Sequence, residues 1–252
     1  MQEILIKSGM DNTEQPSLFY YAGDDKPLLV GLHTWSCRRD NQIKNMLPYA
    51  EKYGWSLLLP EFRGSNTISN PNCRQACASP LAIQDVLDAI DYVCKHYKID
   101  AKKIFLLGLS GGGHMSLMTA AKAPELFCAV GAFVPITDMI AWHTYSDSYR
   151  RHIEACLGGS PEEVGEEIYR ERSPISYVDE LAKANLKIFH GKFDPVVPFT
   201  HSTELYNLIC EKHPKSRVFL DIFDGGHEID MQSAFYWFIS QLGKKNLEQV
   251  TG

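Results

Sequence analysis

Ser110 stands inside the stretch Gly108-Leu-Ser-Gly-Gly-Gly113. Glycine packed this densely around one hydroxyl either cradles a phosphate or turns the chain sharply enough to hold the serine up for attack. A phosphate-binding P-loop needs a lysine and a hydroxyl after its last glycine, to reach phosphate and magnesium. No lysine follows here until Lys122. A dinucleotide fingerprint needs a third glycine at fixed spacing in the first strand–helix turn. Ser116 occupies that place, and this turn is not the first. Gly108-Leu109-Ser110-Gly111-Gly112 does fit Gly-x-Ser-x-Gly, in which the serine caps a strained turn between a strand and a helix.

A serine hydroxyl is a weak nucleophile until a base takes its proton. His227, in "DIFDGGHEID", and Asp194, in "HGKFDPVVP", supply base and acid in the order Ser, Asp, His. Each falls just past the end of an expected strand, where open α/β sheets place their sites. Asp138 is the reserve acid. Asp224 is so close to His227 that it shapes the turn, and Asp221 lies on the last strand. His33, His114 and His190 are read as structural histidines bonded to backbone. The oxyanion formed during acyl transfer needs two aimed N–H donors. One is the N–H of Gly111. The other comes from "LHTWSC", as the N–H of Trp35 or, alternatively, of Thr34. No HExxH-type spacing occurs, so neither a metal nor a cofactor is expected.

These residues require a particular scaffold. Apolar runs such as "PLLVGLH", "SLLLPEF", "KIFLLGLS", "FCAVGAFVP", "LKIFHG" and "SRVFLDIFD" alternate with amphipathic helical patterns. Runs this apolar belong to parallel strands covered on both faces. The alternation predicts an α/β fold with a doubly wound, mostly parallel sheet of about eight strands. "EILIKS" and "SLFYYAG" read as an antiparallel lead-in. Ser79 and Pro80 read as the N-cap and first residue of a helix, with Ile83, Val86, Leu87, Ile90, Val93 and Tyr97 on its buried face. "MQSAFYWFISQLGKK" reads as the last helix. Residues 136–172 break the pattern and read as an irregular, cap-like insertion within a single domain of residues 1–252. Trp142 and Tyr145 from it, with Thr34 and Val196, are candidates to line the substrate pocket.

Composition narrows the classes. The chain has 252 residues, 44% hydrophobic and 22% charged, with a net charge of −6. A length like this lets about three-quarters of the unfolded surface be buried, and the mild acidity gives no electrostatic footprint for nucleic acid. The seven cysteines are odd in number and scattered, as expected of free thiols in a reducing compartment. Cys73 and Cys77 are one residue too far apart for a CxxC pair and read as two loop thiols. There is no signal-peptide pattern at the start and no apolar run long enough to span a membrane. A cytoplasmic location with no membrane partner is therefore the expectation.

Taken together, the motifs "PEFRGSN", "DVLDAIDYV", "KIFLLGLSGGGHMSLMTA", "SPISYVDEL" and "HGKFDPVVPFTHSTELYNLI" resemble the α/β-hydrolase superfamily. Within it, they resemble the catalytic domain of the prolyl oligopeptidase-like (S9) serine hydrolases. The resemblance runs from about residue 27 to the end. It implies the α/β-hydrolase fold and a Ser110, Asp194, His227 triad. Two departures stand out. Family peptidases usually carry an N-terminal β-propeller, and only about 26 residues precede the first long strand here, against blades of about 40 residues each. Relatives also often read His-Gly-Gly where this chain has His33-Thr34-Trp35, and a β-branched threonine resists positive φ. On this basis a carboxylesterase acting on a small-molecule ester is expected. A peptidase or aminoacyl hydrolase, with Arg63 or Arg150 as a charged clamp, is the alternative. A non-catalytic binding protein is the third reading.

Overall fold

The computed structural model describes residues 1–242. Eight strands form one sheet: β1 (Gln2–Lys7), β2 (Glu14–Tyr20), β3 (Lys26–Leu32), β4 (Ser56–Pro60), β5 (Ile99–Leu109), β6 (Ala129–Phe133), β7 (Leu186–Gly191) and β8 (Val218–Phe223). Their spatial order is β1-β2-β4-β3-β5-β6-β7-β8. The first two strands are the antiparallel lead-in, and every pairing from β4 across to β8 is parallel. The helices are α1 (Ile43–Tyr53), α2 (Pro80–His96), α3 (Gly111–Lys122), α4 (Met139–Tyr145), α5 (Asp147–Leu157), α6 (Pro161–Val164), α7 (Glu166–Arg170), α8 (Val178–Leu181), α9 (Thr200–Lys212) and α10 (Met231–Gln241).

The apolar strands are buried on both faces because side chains alternate across a strand. On β3 and β5, Leu28, Val30, Ile104 and Leu106 point into one core with Val86, Ile90, Leu117 and Leu205 of the helices. Leu29, Phe105 and Leu107 point into the other, against Met46, Phe235 and Phe238. Ser79 caps α2 as expected, its side chain accepting the Ala82 N–H at 3.0 Å. The buried face of α2 is shifted from the expected one. Ala82, Asp85, Val86, Ala89, Ile90 and Val93 are buried there, while Ile83 is only partly covered. Asp85 on this face is paired with the Arg63 guanidinium. The last expected helix, 231–245, is described through Gln241; its residues 243–245 lie outside the described residues.

Residues 136–172 differ most from the expectation. They are helical, forming α4 to α7, with short capped turns in place of irregular chain. Asp138 caps α4 through the N–H groups of Ile140 and Ala141. Ser160 and Glu163 form a capping box on α6. These helices are short, so their apolar periodicity is too brief to read from sequence. The two ends of the segment are tied together where Ile175 N–H meets Thr137 O at 3.0 Å and Met139 N–H meets Ser173 Oγ at 2.9 Å. A third core lies outside the sheet here, joining Trp35, Cys77, Trp142, Ile153, Cys156, Tyr169 and Val197.

Candidate active site

Ser110 follows β5 directly and stands at the N-cap of α3 with a strained positive φ, φ 57° and ψ −119°. Such a conformation costs a non-glycine residue on the order of 1–3 kcal/mol and persists only where its surroundings hold it. The holding bonds are present: Ser110 N–H donates to Phe133 O on β6 at 2.9 Å, and Ser110 O accepts from His114 N–H at 2.8 Å. Phe62, Arg63, Cys77, Ala78 and Val134 are also at positive φ. All five lie in loops that leave the carboxyl ends of β4 and β6, along the same edge of the sheet as Ser110, while Asn12 and Asp25, also at positive φ, lie in the turns before β2 and β3.

His227 and Asp194 meet along that edge. His227 Nδ1 lies 2.8 Å from Asp194 Oδ2. Beside a carboxylate Nδ1 is the donor, which leaves the neutral ring's lone pair on Nε2. Asp194 Oδ1 accepts from the N–H groups of Val196 and Val197 at 2.8 and 3.0 Å. Burial alone would raise the Asp194 carboxyl, but hydrogen bonds from His190, His227 and the two backbone N–H groups outweigh it and hold the group well below the usual carboxylate range. Among the described residues no hydrogen bond joins Ser110 Oγ to His227; contacts of this kind are often loose without substrate and tighten in the reacting complex.

Two glycines set the approach distances. A Cβ on Gly111 would come 2.5 Å from Trp35 N, so the Trp35 amide lies directly beside the first turn of α3. The Thr34 N–H is engaged with Asn41 Oδ1 at 3.3 Å, whereas no bond from the Trp35 N–H is recorded among the described residues. Neither Thr34 nor Trp35 is left-handed, so the departure from glycine at this loop needs no strained φ. A Cβ on Gly191, at the end of β7, would come 2.1 Å from Gly226 O. That contact, with Phe193 N–H to Gly225 O at 2.9 Å, draws the His227 loop onto the Asp194 loop.

The remaining candidates divide. Thr34 and Val196 are half-buried, and Tyr145 is exposed with its hydroxyl 3.4 Å from Pro195 O. Trp142, expected in the pocket lining, is fully buried. It backs the wall: its ring meets Trp35 edge-on at 4.8 Å, and its Nε1 donates to Val196 O at 3.1 Å. A cavity of about 820 Å³ opens among Met10, Pro80, Ile83, Met118, Lys122 and Tyr177, and none of Ser110, Asp194 and His227 lines it. His33, His114 and His190 all bond to backbone carbonyls.

Arg63 is not available as a clamp. Its guanidinium makes forked bonds to Asp85 at 2.6 and 3.0 Å and to Asp11 at 2.7 and 3.0 Å, with Gln75 at 2.9 Å. Arg150 is turned onto its own helical segment, bonding His143 O, Thr144 O and Asp147. His190 is the residue that sequence reasoning undervalued. Nε2 donates to Val197 O at 2.9 Å and lies 3.4 Å from Asp194 Oδ2, while Nδ1 meets Ser202 Oγ at 2.6 Å. It thus braces the turn that holds Asp194. The spacing His190 to Asp194 was the available signal.

Comparison with known proteins bears on the family and the fold. The model of the prolyl oligopeptidase family matches residues 45–242. Acylamino-acid-releasing enzyme 2 of Oryza sativa is 25% identical over 252 residues, covering 94% of this chain and 31% of the relative, so the chain spans about a third of that protein. Inactive dipeptidyl peptidase 10 of Mus musculus is 34% identical over 123 residues, covering 48% of this chain and 14% of the relative. Among solved structures, an acylaminoacyl peptidase of Pyrococcus horikoshii superposes with a TM-score of 0.72 at 22% identity, over 90% of this chain and 37% of that one. The likeness at this identity shows the α/β-hydrolase fold. With the family model matching most of its length, the chain belongs to the prolyl oligopeptidase family.

Proposed function

We propose that this chain is a serine hydrolase of the peptidase type that releases an acyl or aminoacyl group from a short amide or peptide through an acyl-enzyme. The observation that carries the reading is the 2.8 Å His227–Asp194 contact, on the same sheet edge as a serine at positive φ. In this reading Ser110 Oγ attacks the scissile carbonyl. His227 Nε2 takes its proton and returns it to the leaving amine, while Asp194 holds the ring and stabilises the imidazolium. The N–H groups of Gly111 and Trp35 receive the oxyanion. Water, activated by His227, then cleaves the acyl-enzyme. Trp35, from the loop after β3, walls the acyl side, and Trp142 of α4 packs behind it.

The ester preference rested on the short stretch before β3, and that stretch carries no weight for a chain spanning a third of its relative. The non-catalytic reading has a relative named as inactive in its favour; against it stand the residues just described. The test is a panel of N-acyl-aminoacyl anilides, aminoacyl anilides and simple short-chain esters, run beside Ser110→Ala. Turnover of an anilide that disappears in Ser110→Ala is expected. Cleavage of simple esters with every amide refused would restore the esterase. No turnover, together with no fluorophosphonate labelling of Ser110, would restore the binding protein.

A further inference from the structure

Three thiols that look separate in the sequence meet beside the candidate site. Cys73 opens a single 3-10 turn, Cys77 follows it, and Cys156 comes from the last turn of α5. The turn and the helix pack on each other, and Cys73 Sγ reaches Ala155 O at 3.5 Å. Contact with Cys77, burial and the nearby Cys73 together push the Cys156 thiol far above its usual pKa. Cys77 and Cys156 are buried, Cys73 is half-buried, and all three are free. They are not disposed as a metal site.

The cluster is linked to the oxyanion side by two hydrogen bonds. Cys77 N–H donates to Asn66 Oδ1 at 2.7 Å. Asn66 N–H donates to Trp35 O at 2.8 Å. Cys77 and Ala78 are both left-handed at φ 51°, so this loop already stores strain that a pull at Cys73 can release or redirect.

We propose that Cys73 and Cys156 are a reversible redox-modification site, closing to a disulfide under hydrogen peroxide and thereby displacing the Trp35 amide; the second half rests on the function proposed above. The half-buried Cys73 meets the oxidant. Its sulfur bonds one peroxide oxygen, the O–O bond breaks, and water leaves, giving a sulfenic acid. Cys156, shielded by burial, does not meet peroxide first. Its sulfur attacks the Cys73 sulfur as the departing sulfenic oxygen takes the Cys156 proton, so that the S–S bond forms, the S–O bond breaks and a second water leaves. Two thiols lose two electrons, and one peroxide becomes two waters. The sulfurs must close from non-bonded contact to about 2.05 Å, drawing the Cys73–Cys77 turn towards α5 and, through Asn66, moving Trp35.

The experiment treats the full chain with hydrogen peroxide, blocks remaining thiols, and maps non-reduced peptides by mass. A Cys73–Cys156 linkage is expected, absent in Cys73→Ser and reversed by dithiothreitol. Fluorophosphonate labelling of Ser110 should slow roughly tenfold on oxidation and recover on reduction, less than the 100-fold or more for losing a donor outright. Oxidation that stops at a sulfinic acid, linkage through any other pair, or linkage with unchanged labelling would each overturn the proposal. The mapping needs no catalysis. If the reduced protein fails to label, the function is refuted and the linkage is still decided in the wild-type chain.

Discussion

Asp194 uses both carboxylate oxygens, one on backbone N–H groups and one on His227, and each bond favours the charged form. Asp138 uses its oxygen to cap α4. The two acids that sequence order left in competition therefore have different work. Asp194→Asn should lower kcat/KM by about 10⁴-fold, because the amide cannot hold the same ring tautomer. Asp138→Asn, which keeps a capping oxygen, should cost less than about 1 kcal/mol of stability and little activity. Steady-state rates for the two variants decide it, and equal losses would leave the acid unassigned. Arg63 shows the reverse lesson. Its type suggested substrate binding, yet two forks bury it against Asp11 and Asp85. Arg63→Ala leaves the Asp85 carboxylate buried without its partner, so denaturant melts should show a loss of about 3–5 kcal/mol.

At the scale of elements, the carboxyl ends of β5, β6, β7 and β8 are stitched into one row by loop hydrogen bonds. Ser110 N–H reaches Phe133 O, Val134 N–H reaches Phe189 O, and Phe193 N–H reaches Gly225 O. The site depends on that row more than on any one loop. Gly191→Ala places a methyl 2.1 Å from Gly226 O, a backbone atom that no rotamer change can move. The expected outcome is a displaced His227 loop, kcat lowered by at least about 100-fold, and a lower melting temperature. Wild-type activity in this variant would show that the two loops are not held by that contact. The helical segment 139–170 works at this scale too. Its buried Trp142 ties α4 to Val196, next to the acid.

The whole molecule should be acid-sensitive, with a definite sign. Burial lowers His114 to about 4 and His201 to about 4. Unfolded histidine titrates near 6.5. Between these values the unfolded chain binds the extra protons, so stability is full above about pH 6.5 and falls as pH drops towards 4, by about 1.4 kcal/mol per pH unit for each histidine. Asp194, held below the usual carboxylate range, adds a further loss only below about pH 4, where the unfolded carboxyl takes its proton. Melting temperatures recorded from pH 7.5 to 4.5 should decline steadily below 6.5. A flat profile would mean that the two histidines take up protons in the fold as readily as in the unfolded chain. At the same scale, no helix among the described residues is long and apolar enough to cross a membrane.

The sequence by itself determined the sheet class and the serine turn, and it set out the candidate serine, acid and base in chain order. Those features are local: apolar runs of strand length, glycine beside one hydroxyl, and residues at strand ends. The helical content of 136–172, the burial of Trp142, the commitment of Arg63, the bracing by His190 and the meeting of Cys73, Cys77 and Cys156 were decided only by tertiary structure. Each is a contact between residues far apart in the chain, and neither periodicity nor spacing encodes which distant side chains share a core. The Trp35 loop sits between the two cases. Its sequence offered two candidate amides for an oxyanion donor, but only the approach of Gly111 and the engagement of Thr34 by Asn41 separate them.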